Sequence, residues 1–137
     1  MGRILAIDYG LKRCGIAVTD PMQLIASGLT TVDTKAIWEW FTSYFQQESI
    51  DALVVGEPKQ LNNQPSENAE RVLQFVKKFK SAYPKIPVKM VDERFTSKLA
   101  FQSMIDGGLS KKQRRDKALV DEISATLILQ SFLQTSA

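Results

Sequence analysis

The sequence predicts an α/β fold in which a mixed five-stranded sheet carries helices on both faces. Two short apolar runs open the chain with glycine-containing turn residues between them, which indicates an antiparallel hairpin. Later apolar runs rich in valine alternate with stretches of helical periodicity, which indicates parallel βα units. Three antiparallel strands followed by parallel βα units therefore form one sheet, and we expect residues 1–137 to form a single domain.

The first half of the chain predicts three strands and one helix. Arg3 to Asp20 forms the opening hairpin, and Leu24 to Val32 follows as a third strand at the edge of the sheet. Thr34 is expected to cap the first helix, because it stands just before an apolar face of helical spacing. We interpret this face as core, and it consists of Ile37, Trp38, Phe41, Tyr44 and Phe45.

The second half alternates between short apolar runs and helical patterns. Strands are predicted at Asp51 to Gly56 and at Pro87 to Val91. Helices are predicted from Ser66, from Thr96 or Ser97 to Gly107, and from about Ala118 onward. This order of elements is the ribonuclease H-like arrangement, and the first strand lies at the centre of its sheet.

Composition excludes several kinds of catalytic site. The chain has no histidine, which excludes Ser-His-Asp and Cys-His catalysis, the usual zinc sites and a histidine general base. Its single cysteine, Cys14, excludes an internal disulfide. No apolar run approaches the roughly 20 residues of a membrane span. Because a strand pattern begins at the amino terminus, we expect no signal peptide and a cytoplasmic location.

Three carboxylates fall at positions that this arrangement brings together. Asp8 ends the central strand, Glu93 follows the fifth strand, and Asp121 lies in the first turn of the last helix. Converging carboxylates repel one another unless a cation lies between them. Oxygen ligands without histidine or thiolate favour Mg²⁺ or Mn²⁺, and two such ions can activate water and stabilise the leaving oxygen of a phosphodiester.

Asp8 also has a purely local explanation. An Asp-x-Gly sequence commonly forms a turn whose carboxylate accepts backbone hydrogen bonds, here from the Gly10 amide. Taken alone, the short sequence would favour that explanation. The strand before Asp8 is apolar on both faces, however, so a charge at its end needs a partner.

Four stretches in this order match motifs of one known family. Residues Asp8 to Asp20 match D-x-G-x-x-R-x-G-x-A-x-[ST]-D, 56–58 match G-x-P, Asp92 to Ser97 match D-E-R-x-[ST]-[ST], and Asp121 to Gln130 match D-x-x-[AS]-A-x-x-I-L-Q. On these residues the chain resembles the YqgF family, also described as RuvC-like resolvases, over nearly its whole length. Each motif alone is weak, but four at suitable spacing make a specific signal.

The resemblance implies an RNase H-like fold and metal-dependent hydrolysis of nucleic acid. The role it implies is processing of the 5′ end of the small-subunit ribosomal RNA precursor, with Asp8, Glu93 and Asp121 as catalytic metal ligands. One departure concerns Glu57, because the middle residue of G-x-P is usually apolar in the family. Related resolvases take a catalytic carboxylate from the end of that strand, so Glu57 competes with Glu93. We rank Glu93 first because its whole motif matches, and the simpler explanation for Glu57 is an exposed loop acid.

Two arginines next to the ligand loops are candidate phosphate contacts. Arg13 follows Asp8 by five residues, and Arg94 directly follows Glu93. A guanidinium suits phosphate oxygens because its planar donors can form paired hydrogen bonds. The alternative for both arginines is a salt bridge to a neighbouring acid, such as Asp20 or Asp92.

A basic segment precedes the last helix. Residues 110–117 contain five basic side chains in eight and no apolar one, which predicts an exposed loop. Four of its charges could contact a nucleic-acid backbone without reading sequence: Lys111, Lys112, Arg114 and Arg115. The alternative is a charged loop that only keeps the chain soluble.

Other functions compete with rRNA processing. A Holliday junction resolvase would act on branched DNA and should be a two-fold dimer, because it cuts two strands symmetrically. The rRNA role leaves a monomer or a homodimer open. A nucleotide-binding module of the actin and heat-shock chaperone type also opens with Asp-x-Gly, but it needs two domains around one nucleotide. A non-catalytic RNA-binding scaffold is a further alternative, and a nuclease using Mg²⁺ or Mn²⁺ is favoured over both this scaffold and the nucleotide-binding module. Within the nuclease class, rRNA processing is ahead of Holliday junction cleavage only through the family resemblance.

Overall fold

The computed structural model describes residues 2–57, 68–92 and 116–135. Within these ranges, apolar runs form five strands: β1 (Arg3–Tyr9), β2 (Arg13–Thr19), β3 (Ala26–Asp33), β4 (Ile50–Glu57) and β5 (Val88–Asp92). The helical patterns form α1 (Ile37–Gln47), α2 (Ala69–Ala82) and α3 (Lys117–Thr135), and a short 3-10 turn, Thr34–Ala36, precedes α1. No helix in the described ranges is long and apolar enough to cross a membrane.

The five strands form one mixed sheet in the order β3-β2-β1-β4-β5. The pairs β1–β2 and β2–β3 are antiparallel, whereas β4 pairs in parallel with both β1 and β5. This confirms the predicted antiparallel meander with parallel βα units, with β1 at the centre and β3 at an edge. In the register of the central hairpin, Asp8 lies opposite Gly15.

Alternation along the central strand divides the core into two layers. Leu5 and Ile7 of β1 pack in a cluster with residues of α1 and α2, whereas Ile4 and Ala6 pack in a second cluster with residues of α3. Helices therefore cover both faces, as predicted. The aromatic face of α1 is core, because Phe41 is fully buried and meets Phe79 of α2 edge-to-face at 5.3 Å between ring centroids.

The first half of the chain departs from the sequence prediction at two boundaries. The third strand begins at Ala26 rather than Leu24, because the Asp20 carboxylate accepts hydrogen bonds from the backbone amides of Met22, Leu24 and Ile25 and holds them in a turn. These bonds, the one from Ile25 foremost, lower the pKa of Asp20. The predicted helix cap at Thr34 is wrong. Its hydroxyl donates instead to the Gly10 carbonyl at 2.7 Å and ties the β1–β2 turn to the start of α1.

In the second half, the last helix begins at Lys117, so that Asp121 lies in its second turn rather than its first. The remaining predictions concern residues outside the described ranges. These are the helix cap at Ser66 and the helix from Thr96 or Ser97 to Gly107.

Candidate active site

Asp8 lies on the α3 side of the sheet near the end of the central strand. Side chains alternate between the faces of a strand, and Ile4 and Ala6 both pack in the α3 cluster. Asp8 continues this series, whereas Tyr9 turns to the other face and stacks on Phe75 of α2 at 4.5 Å between ring centroids. A carboxylate is therefore presented where β1 leaves the sheet beneath α3.

Asp121 is brought to the same place by a glycine on the neighbouring strand. A Cβ atom built on Gly15 would overlap the backbone carbonyl of Asp121, so α3 lies directly against β2 at this point. Gly15 is the register partner of Asp8, and neighbouring strands are about 5 Å apart. Asp8 and Asp121 are far apart in sequence. They nevertheless lie on the same side of the sheet, Asp8 on β1 and Asp121 on the helix that covers the neighbouring strand β2.

Arg13 forms an ion pair with the second of these carboxylates. Its Nε donates to Oδ2 of Asp121 at 2.9 Å, and the two side chains remain 33% and 25% exposed. Arg13 therefore forms the salt bridge that was the alternative to phosphate binding, but its partner is Asp121 and not Asp20. The Asp20 carboxylate instead accepts backbone hydrogen bonds in the turn that follows it. The acid that Arg13 binds belongs to α3 and is 108 residues further along the sequence.

The electrostatic field of both carboxylates reaches the neighbouring Cys14. Burial is the main cause that raises the pKa of its thiol, and the charges of Asp8 and Asp121 raise it further. Hydrogen bonds with Thr34 and Gly10 lower it less than burial raises it. The thiol is fully buried and stays protonated near neutral pH, so Cys14 is a core residue and not a nucleophile.

Glu57 lies at the end of β4, in register with Asp92 of β5. In β4, Ala52 and Val54 pack in the α3 cluster, whereas Leu53 and Val55 pack in the α1/α2 cluster. By this alternation Glu57 falls on the α1/α2 side, opposite to Asp8. Its position therefore does not favour it as a metal ligand beside Asp8.

Two contacts that the sequence prediction missed hold the start of α3. Oδ1 of Asp116 accepts hydrogen bonds from the backbone amides of Ala118 and Leu119 at 3.1 and 3.4 Å, which makes Asp116 the helix cap. The Thr31 hydroxyl of β3 donates to the Ala118 carbonyl at 2.6 Å. The cap had a local signal, an acidic residue just before a helical pattern, but the Thr31 contact had none.

The other predicted site residues lie outside the described ranges. They are Glu93, Arg94, Lys111, Lys112, Arg114 and Arg115. Within the described ranges, no group of three or more acidic or thiol side chains is arranged to hold a metal ion. What those ranges contain is a pair of carboxylates, Asp8 and Asp121, with one arginine bound to the second.

Comparison with known proteins adds to this geometry. The family model RuvX, described as Holliday junction resolvase, matches residues 2–135. A protein of Phocaeicola vulgatus named "Putative pre-16S rRNA nuclease" is 57% identical over 135 residues, which cover 98% of this chain and 97% of the relative. A protein of the same name from Christiangramia forsetii is 56% identical over 133 residues, covering 97% and 98%.

Solved structures support the fold. RuvC of T. thermophilus, in complex with a Holliday junction substrate, matches with a TM-score of 0.57 and 18% identity, covering all of this chain and 97% of the other. The fowlpox virus resolvase bound to Holliday junction DNA matches with a TM-score of 0.59 and 11% identity, covering 98% of each chain. These likenesses confirm the ribonuclease H-like fold that the sequence predicts.

Proposed function

We propose, because this chain belongs to the RuvX family, that it is a nuclease that hydrolyses phosphodiester bonds in the precursor of 16S rRNA. One structural observation carries the proposal: Asp8 of β1 and Asp121 of α3 lie on the same side of the sheet, with Asp121 against β2, the strand next to β1. The substrate follows from relatives at 56–57% identity that are named for pre-16S rRNA. Such a precursor is made in the cytoplasm, which is where the proposal places the protein.

The residues present fit a divalent cation. The two carboxylates supply hard oxygen ligands, and the chain has no histidine, so Mg²⁺ or Mn²⁺ suits this donor set better than Zn²⁺. We assign Asp8, Asp121 and Glu93 as the ligands. Support for Glu93 is its place two residues after Val91, which packs in the α3 cluster. A bound divalent cation would act as a Lewis acid that activates water and stabilises the leaving oxygen.

The basic residues have a separate task, which is to hold the substrate. Arg13 follows Asp8 by five residues and Arg94 directly follows Glu93, and both would orient the phosphate nearest the reaction. The four basic residues of the segment before α3 would contact the backbone further away without reading sequence. Positioning and charge neutralisation supply most of the rate in phosphodiester chemistry of this kind.

Substitution of Asp8 tests the proposal. Asp8→Asn should abolish Mg²⁺-dependent cleavage of an RNA that contains the 5′ end of the 16S precursor. Its RNA affinity should stay similar or become tighter, because a negative charge near phosphate is lost. Asp51→Asn is the matched control, because Asp51 is exposed at the start of β4, at the opposite end of the sheet. Full cleavage by Asp8→Asn would refute the assignment.

A Holliday junction resolvase is the second candidate, and the description of the RuvX family favours it. The two functions differ in symmetry, since a resolvase cuts two strands about a two-fold axis. A molecular mass in solution near that of the 15.4 kDa protomer would exclude the resolvase. A dimer that cleaves four-way DNA junctions but not the rRNA precursor would replace the first proposal.

A further inference from the structure

The ion pair between Arg13 and Asp121 has a consequence for metal binding. Under the proposed function, Asp121 is a metal ligand, yet Oδ2 of this carboxylate accepts the Nε–H of Arg13 at 2.9 Å. A guanidinium and a divalent cation are attracted to the same carboxylate oxygens and repel each other. The arginine and the metal therefore compete for Asp121.

The pair is well suited to exchange. Both side chains are partly exposed, at 33% and 25%, and ion pairs of this kind are weak because water screens them. Arg13 is also the first residue of β2, and its neighbour Cys14 lies opposite Tyr9, the last residue of β1. The guanidinium thus lies at the same end of the strands as the Asp8 carboxylate.

We propose that Arg13 is an exchangeable counter-ion: it neutralises Asp121 in the metal-free protein and leaves this carboxylate when a divalent cation binds. The released guanidinium then takes a phosphate oxygen of the substrate, for which its planar set of donors is suited. This inference rests on the proposed function, because it takes Asp121 as a metal ligand. It couples metal binding to substrate binding through one side chain.

A static brace is the alternative to this exchange. In that case Arg13 would hold the Asp121 carboxylate in the orientation that the metal needs and would remain bound to it. The two roles predict opposite effects of removing the arginine. Loss of a competing counter-ion strengthens cation binding, whereas loss of a brace weakens it.

Calorimetric titration with Mn²⁺ distinguishes these roles. We expect Arg13→Gln to bind Mn²⁺ about two- to fivefold more tightly than the natural protein, the equivalent of one partly exposed ion pair. Arg3→Gln is the matched control. Arg3 pairs through Nε with Glu48 at 3.1 Å with similar exposure, and it lies five residues from Asp8 along β1, about 17 Å away. The Arg3→Gln substitution removes one positive charge, as Arg13→Gln does, and should leave the affinity for Mn²⁺ unchanged.

Unchanged or weaker Mn²⁺ binding by Arg13→Gln would overturn the exchange. Such a result, together with full cleavage by the natural protein, would leave the proposed function intact. If instead Asp121→Asn binds Mn²⁺ as well as the natural protein does, Asp121 is not a ligand. The metal assignment of the proposed function then fails together with this inference.

Nuclear magnetic resonance of the natural protein provides a second test that needs no folded variant. The Nε–H of Arg13 is hydrogen-bonded in the metal-free protein, and so is that of Arg3. Saturating Mg²⁺ should shift the Arg13 signal and speed its exchange with water, while the Arg3 signal should remain in place. An Arg13 signal that keeps its position and exchange rate at saturating Mg²⁺ contradicts the proposal.

Discussion

At the residue scale, the candidate active site depends on a side chain that is absent. Gly15 has no Cβ, and this allows the backbone of α3 at Asp121 to lie directly on β2. Gly28 of β3 also faces α3, but a Cβ there would meet the Glu122 side chain, with its Cγ at 2.8 Å and Oε1 at 2.5 Å. A side chain can rotate away, whereas a helix backbone cannot move without shifting every residue on it.

Alanine at these two glycines should therefore have different effects. Gly15→Ala should lower the free energy of unfolding by about 1–3 kcal/mol, because overpacking displaces α3, and it should reduce cleavage by moving Asp121. Gly28→Ala should cost under about 1 kcal/mol. Urea unfolding, monitored by circular dichroism, measures the free energy of unfolding of both variants. Equal losses in the two variants would mean that α3 does not need the close approach at Gly15.

At the element scale, α3 positions the second carboxylate, and contacts at its first turn hold it in place. Asp116 caps the free amides of Ala118 and Leu119, and Thr31 binds the Ala118 carbonyl from β3. Further along, Ala125, Ile128 and Leu129 are fully buried against the sheet. The cap and the apolar face together determine where Asp121 lies above β2.

Removing the cap should loosen the start of α3 while its apolar face remains packed. Asp116→Ala should lower the free energy of unfolding by about 0.5–2 kcal/mol and reduce cleavage, since Asp121 is only five residues further along. Asp116→Asn keeps an oxygen acceptor, so its stability and activity should stay near those of the natural protein. If the alanine variant matches the asparagine variant in urea unfolding and in cleavage, the cap has no such role.

At the scale of the whole molecule, the distribution of charge indicates where a nucleic-acid substrate would bind. The net charge is only +3, so any strong attraction to nucleic acid must come from local clusters of basic residues. The densest cluster of basic residues in the sequence is the segment 110–117. It ends with Asp116, which caps α3, and Lys117, the first residue of that helix. Binding through this cluster would be independent of sequence and sensitive to salt.

Substitution of four basic residues tests that path. Alanine at Lys111, Lys112, Arg114 and Arg115 should weaken binding to all RNA sequences alike and reduce the salt slope by roughly 0.7 per lost contact. Stability should change by less than about 1 kcal/mol, because the sequence predicts that these charges are exposed, and exposed charges contribute little. A control variant carries alanine at four exposed lysines on and after α2, namely Lys77, Lys78, Lys80 and Lys85. Equal salt slopes in the two variants, measured by fluorescence anisotropy, would exclude the segment from the binding path.

The sheet and one half of the site could be predicted from the sequence alone. The apolar runs and their separation predicted the order of strands, because a run apolar on both faces must be central and covered by helices. The same argument placed Asp8 at the end of the central strand, and helical spacing identified the buried face of α1. These features depend on residues close together in the chain, so local patterns were sufficient to predict them.

How the parts of the site meet could be learned only from the three-dimensional fold. Arg13 pairs with Asp121 across 108 residues, and Thr34 binds Gly10 instead of capping its own helix. Gly15 sets the height of α3 above β2. In each case the partner is selected by packing of elements that are distant in sequence. Neighbouring residues offered equally plausible partners, and no local pattern distinguishes them from the one that the fold brings within hydrogen-bond distance.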